Sequence, residues 1–375
     1  MRMLQFNHIN KSIITVMKKS AIILSALLLM FSGIACAGQK GSTRNYVIGF
    51  YNLENLFDIY DDPAKNDEEF LPEGKNQWTE AKYQKKVSNM AKVIKAMKDD
   101  NGRYHTILGV SEIENRLVLE DLVSDPQIAD ANYQIVHYDG PDRRGVDVAL
   151  LYKPEQFTYL DSESIPFDFN DTEVEITLDK EAQDYFRTRD ILMVHGLIDG
   201  EHFAFYVTHL PSRIGGKGQD LRSRGAEIIY KHSCIMEERY PGIKTVVMGD
   251  MNDNPTDDSQ AVWLHGRRTI EETRPGDFFD PFTIMLEDGY GSLAYQGEWN
   301  IYDIIQVNYN LAVAPQGGLR IRPIVKNKYY GRVFKKPFMT QQSGQYKGTP
   351  FRTFSGGAFI GGYSDHYPTY IVISK

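Results

Sequence analysis

Hydrophobic positions recur along this chain at two spacings, and each change of spacing marks an element. Residues 46–52 (YVIGFYN) are an apolar run that predicts a strand, and the polar stretch DIYDDPAKNDEEFLPEGKNQ predicts a loop after it. Thr79 then stands as an N-cap, and Tyr83, Val87, Met90, Ile94 and Met97 recur at helical spacing. HTILGVSE reads as a buried strand, followed by a short helix from Arg116 to Val123. Further strands are predicted at YQIVHY, VDVALLY, FTYLDSES, DILMVHGLI and FAFYVTHL. A long helix from about Gly218 to Arg239 is expected to turn Leu221, Ile228, His232 and Ile235 to one face. TVVMGD, IYDIIQV, IRPIV and YPTYIVIS complete the strands. Strand runs interrupted by only two long helices predict packed sheets with helices outside, not a simple βαβ repeat.

The first 37 residues follow a different pattern. Lys18 and Lys19 precede the apolar run AIILSALLLMF, and small residues follow, ending in Ala35-Cys36-Ala37. A positive start, a short apolar middle and a small-residue end predict an export signal, and the run is too short to span a bilayer. Ala35-x-Ala37 suits cleavage before Gly38, giving an exported, periplasmic or extracellular chain. Gly33-Ile34-Ala35-Cys36 resembles a loose lipoprotein box, and a lipid on Cys36 is the one route by which a membrane becomes a partner. Residues 38–45 read as a short tether and residues 46–375 as one domain, since no linker, charge block or repeat divides them.

Composition adds two constraints. Only Cys36 and Cys234 exist, so the fold does not rest on a disulfide, and Cys234 in its amphipathic stretch is expected to be an inert core thiol. The chain carries 42 basic and 50 acidic residues; loss of residues 1–37 removes four basic residues and no acid, leaving 38 against 50, a net charge of −12. That balance opposes tight, nonspecific nucleic-acid binding, which usually shows a basic footprint.

The candidate chemistry lies at strand ends. GFYN ends at Asn52, ILGVSE at Glu112 and VVMGD at Asp250, with Asn252 two residues on; YVTHL carries His209, WNIYD places Asp303 at a strand start, and Asp365 and His366 precede the final strand. Strand ends line clefts in α/β proteins, so these groups can converge there. Glu112, Asp250 and Asp365 are hard oxygen ligands suited to Mg²⁺, Mn²⁺ or Ca²⁺. Imidazoles beside such a cation can move protons, and together they describe phosphoester hydrolysis. Singly each residue has a plainer reading: Glu112 as an exposed strand end, Asp250 in GDMND as a turn, His209 as a satisfied strand histidine. His105, His137, His195 and His202 are read as structural or surface residues. Ser364-Asp365-His366 is not a serine-hydrolase triad, because neighbours in extended chain point opposite ways and no G-x-S-x-G elbow occurs.

Taken in order, Asn52, Glu112, His209, Asp250-x-Asn252, Asp303 and Ser364-Asp365-His366 resemble the endonuclease/exonuclease/phosphatase superfamily, which includes pancreatic-type deoxyribonucleases, apurinic-site endonucleases, inositol-polyphosphate 5-phosphatases and neutral sphingomyelinases. GDMND and SDHYP carry the resemblance most specifically; THLPSRIGG and RRGVDVALLY support it, and FYNLENLFD resembles the opening of bacterial members labelled secreted endonucleases. The resemblance implies an α/β (α+β) four-layer sandwich of two packed mixed β-sheets flanked by helices. It also implies roles: Glu112, Asn52 and Asp365 around a metal, most simply Mg²⁺; His366, His209, Asp250 and Asp303 in catalysis; Asn252 on a phosphate oxygen. Arg213 and Arg144 are candidates to grip the phosphate. Asp147 is a departure, since an acid near the cleft opposes an anionic substrate unless an arginine or a metal balances it.

Three functions follow as expectations. A secreted endonuclease on nucleic acid is the first; a phosphatase or phosphodiesterase on an inositol phosphate, sugar phosphate or phospholipid headgroup is the second; a non-catalytic binding protein on the same scaffold is the third. No protein partner is evident. The basic stretch from Gly331 to Thr353 is either a mobile substrate-facing loop or a surface excursion.

Overall fold

The strand expected at YVIGFYN extends past its apolar run, and its alternation sets the architecture. In the computed structural model, which describes residues 44–213, 218–295, 297–324 and 328–375, β1 spans Asn45–Leu56. The expected signal and nearly all of the tether lie outside these residues, as does the end of THLPSRIGG. Tyr46, Ile48 and Phe50 of β1 point into one core, while Val47, Tyr51 and Leu53 point into another. A strand buried on both faces must be apolar at every position, which is why no polar alternation shows in its sequence.

Helix Glu80–Asn101 follows, then β2 (Ile107–Ile113), helix Arg116–Ser124, β3 (Gln134–His137), β4 (Asp147–Tyr152) and β5 (Thr158–Ile165). The short helix Lys180–Tyr185 precedes β6 (Ile191–Ile198), β7 (Glu201–His209), helix Gln219–Arg239 and β8 (Lys244–Asp250). Short strands β9 (Gly266–Arg267) and β10 (Phe278–Phe279), helix Thr283–Glu287 and the hairpin β11 (Leu293–Tyr295) and β12 (Glu298–Asn300) lead to β13 (Asp303–Asn308). After helix Tyr309–Ala312 come β14 (Arg320–Arg322), β15 (Gly331–Val333), the small hairpin β16 (Phe354–Ser355) and β17 (Ala358–Phe359), and β18 (Thr369–Ser374).

Two seven-stranded mixed sheets result, ordered β14-β18-β1-β2-β4-β3, with β15 also on β18, and β5-β6-β7-β8-β13-β10-β9. They pack face to face, β1 and β2 against β7, β8 and β13. Close approach matters at Gly109: a Cβ there would lie 2.6 Å from Met248 Sδ of the opposite sheet, so the two sheets meet over a missing side chain. Outside the first sheet, helix Glu80–Asn101 buries Tyr83, Val87, Met90, Ile94 and Met97, as their spacing predicted. Thr79 takes its N-cap position without a side-chain hydrogen bond.

The other long helix departs from expectation over part of its face. Ile228 is buried as expected and Leu221 and His232 are half-buried, but the inward face continues through Ala226, Ile229, Ser233 and Met236, while Ile235 and Cys234 are exposed. Cys234 is therefore a surface thiol, not a core one. The pattern misled because this helix buries charge: Arg222 Nε lies 2.7 Å from Asp253 Oδ1, and Arg224 Nη1 lies 2.6 Å from Glu227 Oε2. Polar positions counted as solvent-facing are paired and inside. Asp147 is buried as well, balanced not by arginine but by the Gly140 amide at 3.0 Å and His137 Nε2 at 3.4 Å. The Gly331–Thr353 stretch is secured rather than free: β15 pairs with β18, Phe334 N donates to Pro368 O, and Lys86 Nζ donates to Thr353 Oγ1 at 2.6 Å.

Asp280, beside β10, shows a further buried acid away from the strand-end cluster. It accepts from Phe282 N and Gln306 Nε2, and burial pushes its pKa up to about 7. A carboxyl whose pKa is raised on folding contributes stability that is fully present below its unfolded value near 4 and is lost as pH rises through about 7. Asp280→Asn removes this dependence, and Gln306 Oε1 has no hydrogen-bond partner and can take the new amide. Melting curves are expected to show the variant gaining on the parent by on the order of 2 kcal/mol between pH 4 and pH 7.5. A gap that stays constant across that range would contradict the burial of an ionisable Asp280.

Candidate active site

Strand register assembles the site. His209, the last residue of β7, pairs with Asp250, the last of β8, and Asp250 pairs with Asp303, the first of β13. Three polar groups from segments far apart in sequence thus share one row at the end of one sheet. In the other sheet Asn52 of β1 pairs with Ser111 of β2, and the register then shifts across Glu112. Glu112 sits at φ +56°, in a bulge that turns its side chain out of the alternation. Glu54, Asn55 and Asn252 also have positive φ, so four of the nine such non-glycine residues among those described lie at this end.

Asp250 Oδ2 is the centre. Asn52 Nδ2 donates to it at 3.0 Å and to Glu112 Oε1 at 3.2 Å, while Asn52 Oδ1 accepts from Glu54 N at 2.8 Å, which fixes the amide's orientation. His209 Nε2 stands 3.7 Å from Asp250 Oδ2 and 3.9 Å from Glu112 Oε1. Those gaps are too long for hydrogen bonds but fit three groups disposed about a shared ligand. His366 Nδ1 pairs with Asp303 Oδ2 at 2.7 Å, leaving Nε2 3.8 Å from both Asp250 Oδ2 and Asp365 Oδ1. Ser364 Oγ ties this segment to β1 by donating to Asn52 O and accepting from His366 N.

The charges perturb one another. Burial pushes Asp250 up to about 7; His366 opposes that shift, and Asp303 and Glu112 add to it. For His366 burial acts downward, yet the carboxylates of Asp303, Asp250 and Asp365 outweigh it and hold the imidazole well above its ordinary value. His209 goes the other way: burial, with the cationic Arg189, Arg144 and His366, holds it well below. Two imidazoles in one site are thereby set to opposite protonation states, the pattern expected where acid and base chemistry are divided.

Glu112, His209 and Asp250 offer ligand atoms that all lie within 4.8 Å of one another. Two carboxylates this close, Asp250 buried and Glu112 partly so, are unfavourable without positive charge between them, and oxygen donors with one imidazole suit a divalent cation. The donor set therefore fits a metal. It differs from the expected trio of Glu112, Asn52 and Asp365: Asn52 directs its NH₂ at both carboxylates, and Asp365 is held by Arg352 Nη2 at 2.8 Å. Asn252 Nδ2 donates to Leu210 O at 3.0 Å, so part of the amide expected to meet a phosphate is used to fix the loop. Arg213 is engaged by Asp257 at 2.9 Å, Asp253 at 3.5 Å and the Tyr302 hydroxyl at 3.3 Å, none of them in the cluster. Arg144 is half exposed, near Asp142, and close enough for its charge to act on His209.

Three residues escaped the sequence reading. Arg189, buried, donates to His209 O, Leu210 O and Asp142 Oδ2 and so fixes the end of β7. Arg352 joins Asp365 to Glu54, and Glu54, buried beside Lys86, accepts from Thr353 N at 2.6 Å. Their only sequence signal was charge inside otherwise apolar or aromatic surroundings, as in PFRTF.

Comparisons with known proteins give the family and the fold. A model of the Endonuclease/Exonuclease/phosphatase family matches residues 47–375. The chain belongs to that family. No curated protein sequence matches it. Among solved structures, the mannosyl-6-phosphatase Bt3783 of Bacteroides thetaiotaomicron superposes with TM-score 0.52 at 14% identity, covering 88% of this chain and 99% of that one. The D. rerio TDP2 complexed with a single-strand DNA product superposes with TM-score 0.51 at 11% identity and the same coverage. At such identities both establish the shared sandwich fold of this family member, and not its substrate.

Cation binding should register directly in stability. Saturating Mg²⁺ or Mn²⁺ is expected to raise the melting temperature by about 5 °C, and Glu112→Gln to abolish most of that rise. A shift untouched by Glu112→Gln would place the cation elsewhere.

Proposed function

We propose that this chain is a divalent-cation-dependent phosphoester hydrolase whose reaction centre is the Asp250 cluster. One observation carries the reading: Asp250 Oδ2 faces Asn52, His209 and His366 at once, with Glu112 alongside. Glu112 would hold the cation beside Asp250 and His209, and when bound it supplies positive charge to the phosphoryl oxygens. Mg²⁺ is the simplest choice for this oxygen-rich set, with Mn²⁺ or Ca²⁺ as alternatives.

The remaining chemistry belongs to the side chains. Asp250 Oδ2, at the centre of the cluster, is placed to take a proton from the attacking water. As the water oxygen bonds to phosphorus, the bond to the leaving oxygen breaks. His366, kept cationic by its three carboxylates, stabilises the charge growing on a phosphoryl oxygen. Asp303 positions His366 through the 2.7 Å contact to Nδ1. The leaving oxygen needs a proton, and His209 is its candidate donor once an anionic phosphate beside it favours the imidazolium. Arg144, whose charge reaches His209, and the second hydrogen of the Asn252 amide are the candidates for further phosphate contacts.

For the substrate we favour a small phosphoester over nucleic acid. The net charge of −12 expected after loss of residues 1–37 supports this, as does the walled groove of about 1050 Å³ that Asp365 borders. The nuclease reading keeps the support of FYNLENLFD and THLPSRIGG. The shared fold serves a sugar phosphatase in one neighbour and a DNA-bound protein in another, so it accommodates either. If residues 1–37 act as an export signal, the reaction takes place outside the cytoplasm.

The purified chain with Mg²⁺ is expected to hydrolyse bis(p-nitrophenyl) phosphate and sugar or inositol phosphates more readily than plasmid DNA or RNA. His366→Ala is expected to lower kcat by roughly 10² to 10⁴-fold with circular dichroism unchanged. Full activity in that variant, or activity surviving chelation, would refute the reading. Faster cleavage of DNA or RNA, falling steeply with salt, would restore the nuclease assignment.

A further inference from the structure

Beside the reaction centre lies a groove of about 1050 Å³ that the mechanism above leaves unused. Its walls come from three parts of the chain: the β11–β12 hairpin with Trp299, the stretch from Lys335 to Pro350, and the β16–β17 hairpin region with Arg352. Asp365 lines it and lies 3.8 Å from His366 Nε2, so the groove reaches the reaction centre.

Its charge is opposite to that of the chain as a whole. Lys335, Lys347 and Arg352 line it, and Asp365 is the one lining acid, already joined to Arg352 at 2.8 Å. Lys335 Nζ donates to Gly348 O at 2.9 Å, which brings its ammonium next to the backbone of Lys347. Among the described residues neither lysine is within ion-pair distance of a carboxylate. Lys335 also lies 4.6 Å from the Trp299 ring centroid, which holds the side chain over the groove wall. Trp299, Tyr346 and Phe354 add ring surface, and Gln345 adds an amide suited to hydroxyl groups. In a chain with eight more acids than bases, two ammonium groups facing one groove without acid partners leave a site for an anion.

We propose that this groove binds the non-reacting part of the substrate, and that it selects a cyclic polyol carrying a second phosphate, which Lys335 and Lys347 hold while the scissile phosphate lies at Asp250. The proposal rests on the phosphoester-hydrolase reading for the placement of the scissile group. The aromatic rings take the apolar faces of the polyol ring, Gln345 takes its hydroxyls, and Arg352, tied to Asp365, lies between the two phosphate positions.

The test is a calorimetric titration of the full chain carrying His366→Ala, which slows turnover, in Mg²⁺. Fructose 1,6-bisphosphate and fructose 6-phosphate are the probes. The bisphosphate is expected to bind at least about tenfold more tightly, and Lys335→Gln with Lys347→Gln to bring the two affinities within about twofold. Lys335→Arg with Lys347→Arg is expected to keep the preference, which separates charge from packing. Equal affinities in the starting protein, or a preference that survives the double glutamine variant, would overturn the proposal. So would a single-stranded oligonucleotide that binds more tightly than the bisphosphate through the same lysines. Because the readout is binding, a failure to hydrolyse bis(p-nitrophenyl) phosphate would count against the hydrolase reading alone, and the titration would still judge the groove.

Discussion

The site depends on one side-chain amide. Asn52 belongs to one sheet and Asp250 to the other, and the NH₂ group of Asn52 is shared between Asp250 and Glu112. Buried carboxylates repel one another and lose hydration, at a cost of several kcal/mol per uncompensated charge. The amide offsets part of that cost, His366 offsets more, and a rise in the Asp250 pKa removes charge where neither suffices. Positive-φ backbone at Glu54, Asn55, Glu112 and Asn252 adds strain on the order of 1–3 kcal/mol per residue. Such a centre persists only where the surrounding structure is already fixed. The dry interface between β1 and β2 on one side and β7, β8 and β13 on the other supplies that rigidity, down to the close contact over Gly109.

The same dependence explains what the sequence made legible. Long strands and the helix Glu80–Asn101 were readable because their apolar positions obey a simple period. Asn52, Glu112, His209, Asp250, Asp303 and His366 were readable because each sits at or beside the edge of an apolar run, and strand register carries those edges to one place. Arg189 and Arg352 were not readable. Each sits in irregular chain, where no period says which way a side chain points, and each acts by gripping backbone or an acid distant in sequence. Helix Gln219–Arg239 failed for a related reason. The Arg222–Asp253 and Arg224–Glu227 pairs are buried, so a rule that turns charge to solvent finds Ile228 but misplaces Ile235 and misses the charged part of the inward face. Asp147 repeats the lesson, an apparent cleft acid that is in fact internal and paired with His137.

Net charge and local field part company in this molecule, and that separation bears on substrate choice. An excess of acids over the whole surface lowers the yield of random encounters with polyanions, but it acts weakly across distances beyond about 8–10 Å at physiological salt. Within the site the ordering is set locally: burial, with Arg189 and Arg144, holds His209 well below its ordinary value, while three carboxylates outweigh burial and hold His366 well above it. Selectivity is therefore a matter of what flanks Asp250, not of the total. On one flank the only cations free of a carboxylate among the groove's lining residues are Lys335 and Lys347, and they lie on the stretch that β15, Phe334 and Thr353 hold against β18 and the helix Glu80–Asn101. A stretch secured at both ends presents its charges at a fixed distance from the reacting position. A fixed distance favours a substrate whose two anionic groups are themselves rigidly spaced, as on a ring, over a flexible strand that must be ordered before it can satisfy both.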